Sequence, residues 1–105
     1  MAWISSGRLV NPAIDAVLLD TVALTAGIRT PQAIVTSTVT AQFELQLRDA
    51  ANAATLRSQI LSVVAMDTFD FTFNQPIQVA LNERLRILAV GTIVGTVSVS
   101  MNYQV

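Results

Sequence analysis

Thr96-Val97-Ser98-Val99-Ser100-Met101-Asn102-Tyr103-Gln104-Val105 alternates polar and apolar side chains without a break. On a β-strand, successive side chains point to opposite faces, so this run sets one apolar row on a core and one hydroxyl/amide row outward. A helix cannot use a period of two, because its apolar stripe recurs every three or four residues. The run predicts a strand built into a sheet up to Val105, and the rest of the chain reads as sheet made to pair with it.

Two more runs repeat the pattern. Ala41, Phe43, Leu45 and Leu47 alternate with Gln42, Glu44, Gln46 and Arg48, and Phe69, Phe71 and Phe73 alternate with Thr68, Asp70, Thr72 and Asn74. Between Arg29 and Thr40 the density of Thr, Ile and Val predicts a fourth strand, with Pro31 at its start or on an edge. Val17–Asp20 is apolar enough for a buried strand. A helix begun at Asn11 and Pro12 competes there, but Thr21, Val22 and Thr25 are poor helix residues and favour the strand. Over 50–66 two readings stand, an alanine-rich helix or a turn at Asp49–Asn52 followed by a strand from Thr55 to Val64; the strand is preferred. Ile77, Val79 and Leu81 share a face, Asn82-Glu83 turns the chain, and Leu85 and Ile87 oppose Arg84 and Arg86. Gly91 and Gly95 bracket a short loop expected to close the last hairpin. The pattern predicts an all-β chain, an antiparallel β-sandwich of about eight strands. A jelly-roll-like order ranks ahead of an immunoglobulin-like one. Residues 1–10 read as an N-terminal arm or edge strand and residues 11–105 as the sandwich domain.

With 105 residues the chain suffices for one core. A net charge of −1 and six scattered Arg residues give no basic patch for nucleic acid or an acidic membrane, and no apolar run reaches membrane-helix length. The opening residues lack the plan of a signal peptide. Charged residues make up 12% of the chain, against roughly 25% in ordinary globular domains. Such economy predicts a surface covered by copies of the chain or by a partner.

The chemistry-bearing residues are few. With neither His nor Cys, the usual metal ligands and the usual general base are missing, so no enzyme and no cofactor are expected. Asp67 and Asp70 have opposite parity on one strand and read as turn-capping carboxylates. Arg84 and Arg86 could grip a carboxylate or phosphate, but a solvated strand face that deters edge pairing is the plainer reading. The three Phe residues read as core or subunit interface. Trp3 stands apart as either a partner contact or a lid on the core.

Leu19-Asp20-Thr21-Val22-Ala23-Leu24-Thr25-Ala26-Gly27, Phe43-Glu44-Leu45-Gln46-Leu47-Arg48-Asp49-Ala50-Ala51-Asn52, Leu81-Asn82-Glu83-Arg84-Leu85-Arg86-Ile87 and Gly95-Thr96-Val97-Ser98-Val99-Ser100 together resemble a group of small proteins of tailed bacteriophages. The resemblance runs from Val17 to the last residue. It implies a virion structural protein with a jelly-roll-like fold, a decoration or cement protein that binds the major capsid protein on the outer capsid surface as a homotrimer. Such a protein would be made in the host cytoplasm. A trimeric tail-fibre or receptor-binding tip that recognises host glycans is the alternative. From the residues themselves, Trp3, Ile4, Arg8 and Leu9 are the expected capsid or subunit contacts.

Overall fold

The structure, a computed structural model, describes residues 2–72 and 76–103, with only the backbone of Phe71 and Thr72. Ten strands lie among these residues: β1 (Ala2–Val10), β2 (Val17–Asp20), β3 (Gly27–Arg29), β4 (Gln32–Ser37), β5 (Ala41–Arg48), β6 (Thr55–Val63), β7 (Asp67–Thr72), β8 (Ile77–Val79), β9 (Arg84–Ala89) and β10 (Thr96–Tyr103). They form two antiparallel four-stranded sheets, in the orders β1-β10-β4-β7 and β2-β9-β5-β6, and a two-stranded ribbon, β3-β8.

The alternating runs form strands where expected. Val97, Val99, Met101 and Tyr103 of β10 are buried, and the residues between them are half-exposed. Gln104, Val105 and Phe73 lie outside the described residues. The inward row of β10 shares one core with Phe43, Leu45 and Leu47 of β5 and with Leu85 and Ile87 of β9, so the molecule is sandwich-like. Val17–Asp20 and Thr55–Val63 are strands, as preferred over the helical readings.

Three details differ from expectation. There are ten strands rather than about eight, because residues 1–10 supply a full edge strand and the stretch expected to begin one strand at Arg29 is divided. Gly27–Arg29 pairs with Ile77–Val79 as a ribbon, and buried Pro31, which has no N–H to donate, separates it from β4. Leu81 falls beyond β8 and is exposed rather than facing inward with Ile77 and Val79. The Gly91–Gly95 loop does not close a hairpin: β9 belongs to one sheet and β10 to the other. Periodicity reports which face a residue takes, not which sheet the next strand joins.

Among the described strands the only consecutive pair that hydrogen-bonds is β5–β6, and its turn is built by side chains. Asn52 sits at a positive φ of 55°, which Asn tolerates in turns. Arg48 donates to the Asn52 side chain (3.0 Å) and carbonyl (2.9 Å), and the Asp49 carboxylate accepts the Ala53 N–H at 2.8 Å. That last bond is the chief reason the Asp49 carboxyl titrates below its ordinary range, with the Ala54 and Asn52 N–H groups and the Arg48 charge acting the same way. A carboxyl whose folded pKa is depressed stabilises the fold above its unfolded value and ceases to do so as pH falls through the folded one. Asp49→Asn keeps an acceptor and removes the charge. It should melt below the parent at neutral pH, and the gap should close in acid.

The opposite end of the sandwich is tied by its loops. Asn11 donates its N–H to the Gly95 carbonyl (2.8 Å) and accepts the Gly95 N–H on its side chain (2.9 Å), while the Thr38 hydroxyl accepts the Thr96 N–H (2.9 Å). A Cβ on Gly95 would lie 2.8 Å from the Thr38 hydroxyl and 3.0 Å from a Val39 methyl, closer than side chains tolerate. Gly95→Ala should therefore cost about 1–3 kcal/mol by overpacking. In thermal unfolding that is a drop of roughly 4–8 °C per kcal/mol for a domain of this size.

Candidate functional site

The expected contact residues all lie on β1, the edge strand of the β1-β10-β4-β7 sheet. Its register with β10 runs regularly from Ala2↔Tyr103 to Ser5↔Ser100 and resumes at Arg8↔Ser98, leaving Ser6 and Gly7 together opposite Val99. This is a β-bulge, and Gly7 supplies the left-handed φ of 66°. The Ser6 hydroxyl fixes it by accepting the Val99 N–H at 3.0 Å.

One extra residue reverses the parity of everything after it. Ala2 and Ile4 face inward with Tyr103 and Met101, and after the bulge Leu9, rather than Arg8, faces inward with Val97. The four expected contact residues accordingly divide in two. Ile4 and Leu9 are half-buried against the core, while Trp3 (62% exposed) and Arg8 project from the outer face. Sequence reasoning grouped them because a bulge has no signature in apolar alternation; the Ser-Gly pair was the available signal.

Beside Trp3 and Arg8 the outer face is almost wholly neutral and polar. β10 contributes Thr96, Ser98, Ser100 and Asn102, and β4 contributes Gln32, Ile34 and Thr36. β7 contributes Thr68 and Asp70. Cross-strand bonds order this lattice: the Gln32 amide donates to Asp70 at 2.8 Å, and the Thr36 and Thr68 hydroxyls pair at 3.3 Å. Asp67 caps its own strand start by accepting the Thr68 N–H at 2.8 Å, so the two aspartates do not combine into one site. A shallow groove between β1 and β4 is lined by Gly7, Arg8, Thr36, Thr38, Thr96 and Ser98.

The outer face of the other sheet is charged and internally paired. Arg84 forms an ion pair with Asp20 at 3.2 Å. Arg86 donates to the Gln46 carbonyl oxygen at 2.6 Å, and the Gln46 amide donates to Glu44. Burial, and then the nearby Arg48 charge, lower the Arg86 pKa, against the opposing pull of Asp20 and Glu44. Arg84 and Arg86 are half-buried members of a network rather than a freely solvated face. Among the described residues, no group of three or more His, Cys, Asp or Glu side chains could hold a metal ion, and no helix is long and apolar enough to cross a membrane.

No protein-family model matches this chain. No curated protein matches it either.

The division of β1 into inward and outward residues has a thermodynamic signature. Removing residues 1–8 would strip a paired strand from β10, so melting should fall, contrary to the arm reading, under which it would not change. Point substitutions separate the roles. Ile4→Ala, which removes half-buried apolar contact, should cost about 1–2 kcal/mol. Trp3→Ala should change stability by no more than about 0.5 kcal/mol. Denaturant titration of the two variants measures both.

Proposed function

We propose that this chain is a structural, non-catalytic protein of a tailed-bacteriophage virion. It decorates the outer capsid surface as a homotrimer, bound to the major capsid protein, and stabilises the shell without cofactor, nucleic acid or membrane. The observation that carries the reading is the β1-β10-β4-β7 outer face. There an edge strand holds Trp3 and Arg8 out beside a hydroxyl and amide lattice whose one described carboxylate, Asp70, accepts from the Gln32 amide. Large, rigid aromatic side chains and Arg are the favoured anchors of protein interfaces. A flat neutral surface can be covered with little charge to desolvate. The resemblance of Val17–Val105 to small phage proteins supplies the context, made in the host cytoplasm and resident on the capsid.

A jelly-roll order is part of the proposal. Leaving aside the β3-β8 ribbon, successive strands enter the sheets as β1 and β2, β4 and β5, β6 and β7, β9 and β10, one in each sheet. A two-sheet jelly roll of eight strands is wound in this way, and viral capsid and lectin domains use it.

A second reading, a trimeric tail-fibre tip that recognises host glycans, is favoured by one observation. The Arg8-lined groove and exposed Trp3 are the polar and stacking groups that a glycan site needs.

Gold-labelled antibody on intact virions, viewed by electron microscopy, separates the two. Label over the head is expected. Label confined to the tail end would transfer the role to host recognition, and bare particles would remove the virion reading altogether. On stripped capsids, Trp3→Ala should weaken binding by about thirtyfold, the loss of a 2 kcal/mol anchor.

A further inference from the structure

Among the described residues the two four-stranded sheets have four edge strands: β1 and β7 in one, β2 and β6 in the other. Free edges present unpaired backbone groups to any other strand, and proteins blunt them with bulges, charges or shortness. Three of these edges are blunted. β1 carries the Gly7 bulge and Arg8, β7 carries Asp67 and Asp70, and β2 is four residues long with a register shift.

β6 is different. It spans nine residues, every residue from Thr55 to Ile60 is exposed, and although its register with β5 shifts between Thr55 and Arg57, the pairing is regular over the seven residues from Arg57 to Val63. Ser58, Ile60 and Ser62 lie on its outer face, opposite Gln46, Glu44 and Gln42, and exposed Leu56, at the register shift, and Val64, one step past the strand, extend the row at its two ends. Read in either direction, this row is apolar, Ser, Ile, Ser, apolar, and it carries no charge. Leu56, Ile60 and Val64 are 49%, 44% and 66% exposed.

A row that reads the same both ways matches an antiparallel copy of itself. We infer that β6 pairs with β6 of a second copy of this chain, antiparallel, about a twofold axis through Ile60. In that register Ile60 faces Ile60 of the second copy, each Ser58 faces a Ser62, and each Leu56 faces a Val64. On the inner face Arg57 falls opposite Val63 rather than another Arg57, so no like charges meet. Leu56, Ile60 and Val64 of the two copies pack side by side across the seam, and two four-stranded sheets become one of eight. The isologous contact is closed, so it stops at two copies instead of growing a fibre. The inference rests on the edge alone and stands whether or not the chain decorates a capsid.

Sedimentation velocity of the purified chain tests it with two double variants at the exposed serines. The parent should sediment as a dimer. Ser58→Lys with Ser62→Lys places like charges opposite each other twice across the axis, and should raise the dimer dissociation constant by roughly a hundredfold. Ser58→Lys with Ser62→Glu makes both pairs complementary and should restore the dimer, which also shows that the positions tolerate substitution. A monomeric parent would overturn the inference, as would two double variants that behave alike. If the proposed trimer also forms, the parent should have a mass of six copies and the Lys/Lys variant a mass of three, so failure of one contact is distinguishable from failure of the other. A second measurement fixes the axis without changing charge. The natural chain has no Cys, so Ile60→Cys places one thiol opposite itself, within disulfide reach. Mild oxidation should link Ile60→Cys into covalent dimers while Gln42→Cys, on the neighbouring strand, stays monomeric on a denaturing gel. Equal linking of both variants, or of neither, would overturn the register.

Discussion

The place of β10 inside its sheet, with one face buried on the core, is the constraint on which the other strands depend. It has β1 on one side and β4 on the other, so both rows of its backbone groups are satisfied. Its Val97, Val99, Met101 and Tyr103 row then fixes which way each neighbour must face, because slipping by one residue would send this row to water and draw Ser98 and Ser100 into the core. The same rule accounts for the bulge in β1. Ser5 and Arg8 can both face outward only because Ser6 and Gly7 together take the space of one residue.

Much of this was legible before any coordinates. The period-two runs of β5, β7 and β10 locate their strands closely, since half-buried sheet and alternating polarity are one constraint seen twice. Over 50–66 period alone could not decide, because alanines suit a helix. The answer lay in Asp49 and Asn52, whose side chains close a hairpin turn. The path between sheets was not legible. The Gly91–Gly95 loop looks like a hairpin turn, yet Gly95 is needed where the loop between β4 and β5 crowds it. Its destination is set by tertiary packing, which leaves no local pattern. For the candidate site, the four residues singled out in the sequence fall on one strand, but alternation could not separate Trp3 and Arg8 from Ile4 and Leu9, because parity past a bulge depends on one glycine's φ.

The two outer faces divide the surface chemistry between them. Three Arg residues, Arg48, Arg84 and Arg86, sit on the β2-β9-β5-β6 sheet and spend their donors on Asp20, Gln46, Asn52 and Thr55. The other sheet carries hydroxyls and amides with Trp3 at its margin. Half of the six Arg residues brace one face, and the other, where Arg8 and Asp70 are the described charges, meets a surface with little electrostatic preference.

The order of the strands also has a consequence for synthesis. β1 emerges before the other nine strands and β10 after them, yet β10 is the only described strand that β1 pairs with. Until some ninety residues have followed it, the Trp3 strand has no partner, and the core rows of β4 and β5 lack the strand that joins β1 to them. Pairings so distant in sequence are slow to form, because a long loop must close before any contact rewards it. Throughout that interval the nascent chain carries apolar strands open. In a crowded cell that interval, rather than the finished sandwich, is where a holding chaperone would act and where the chain is most exposed to misassembly.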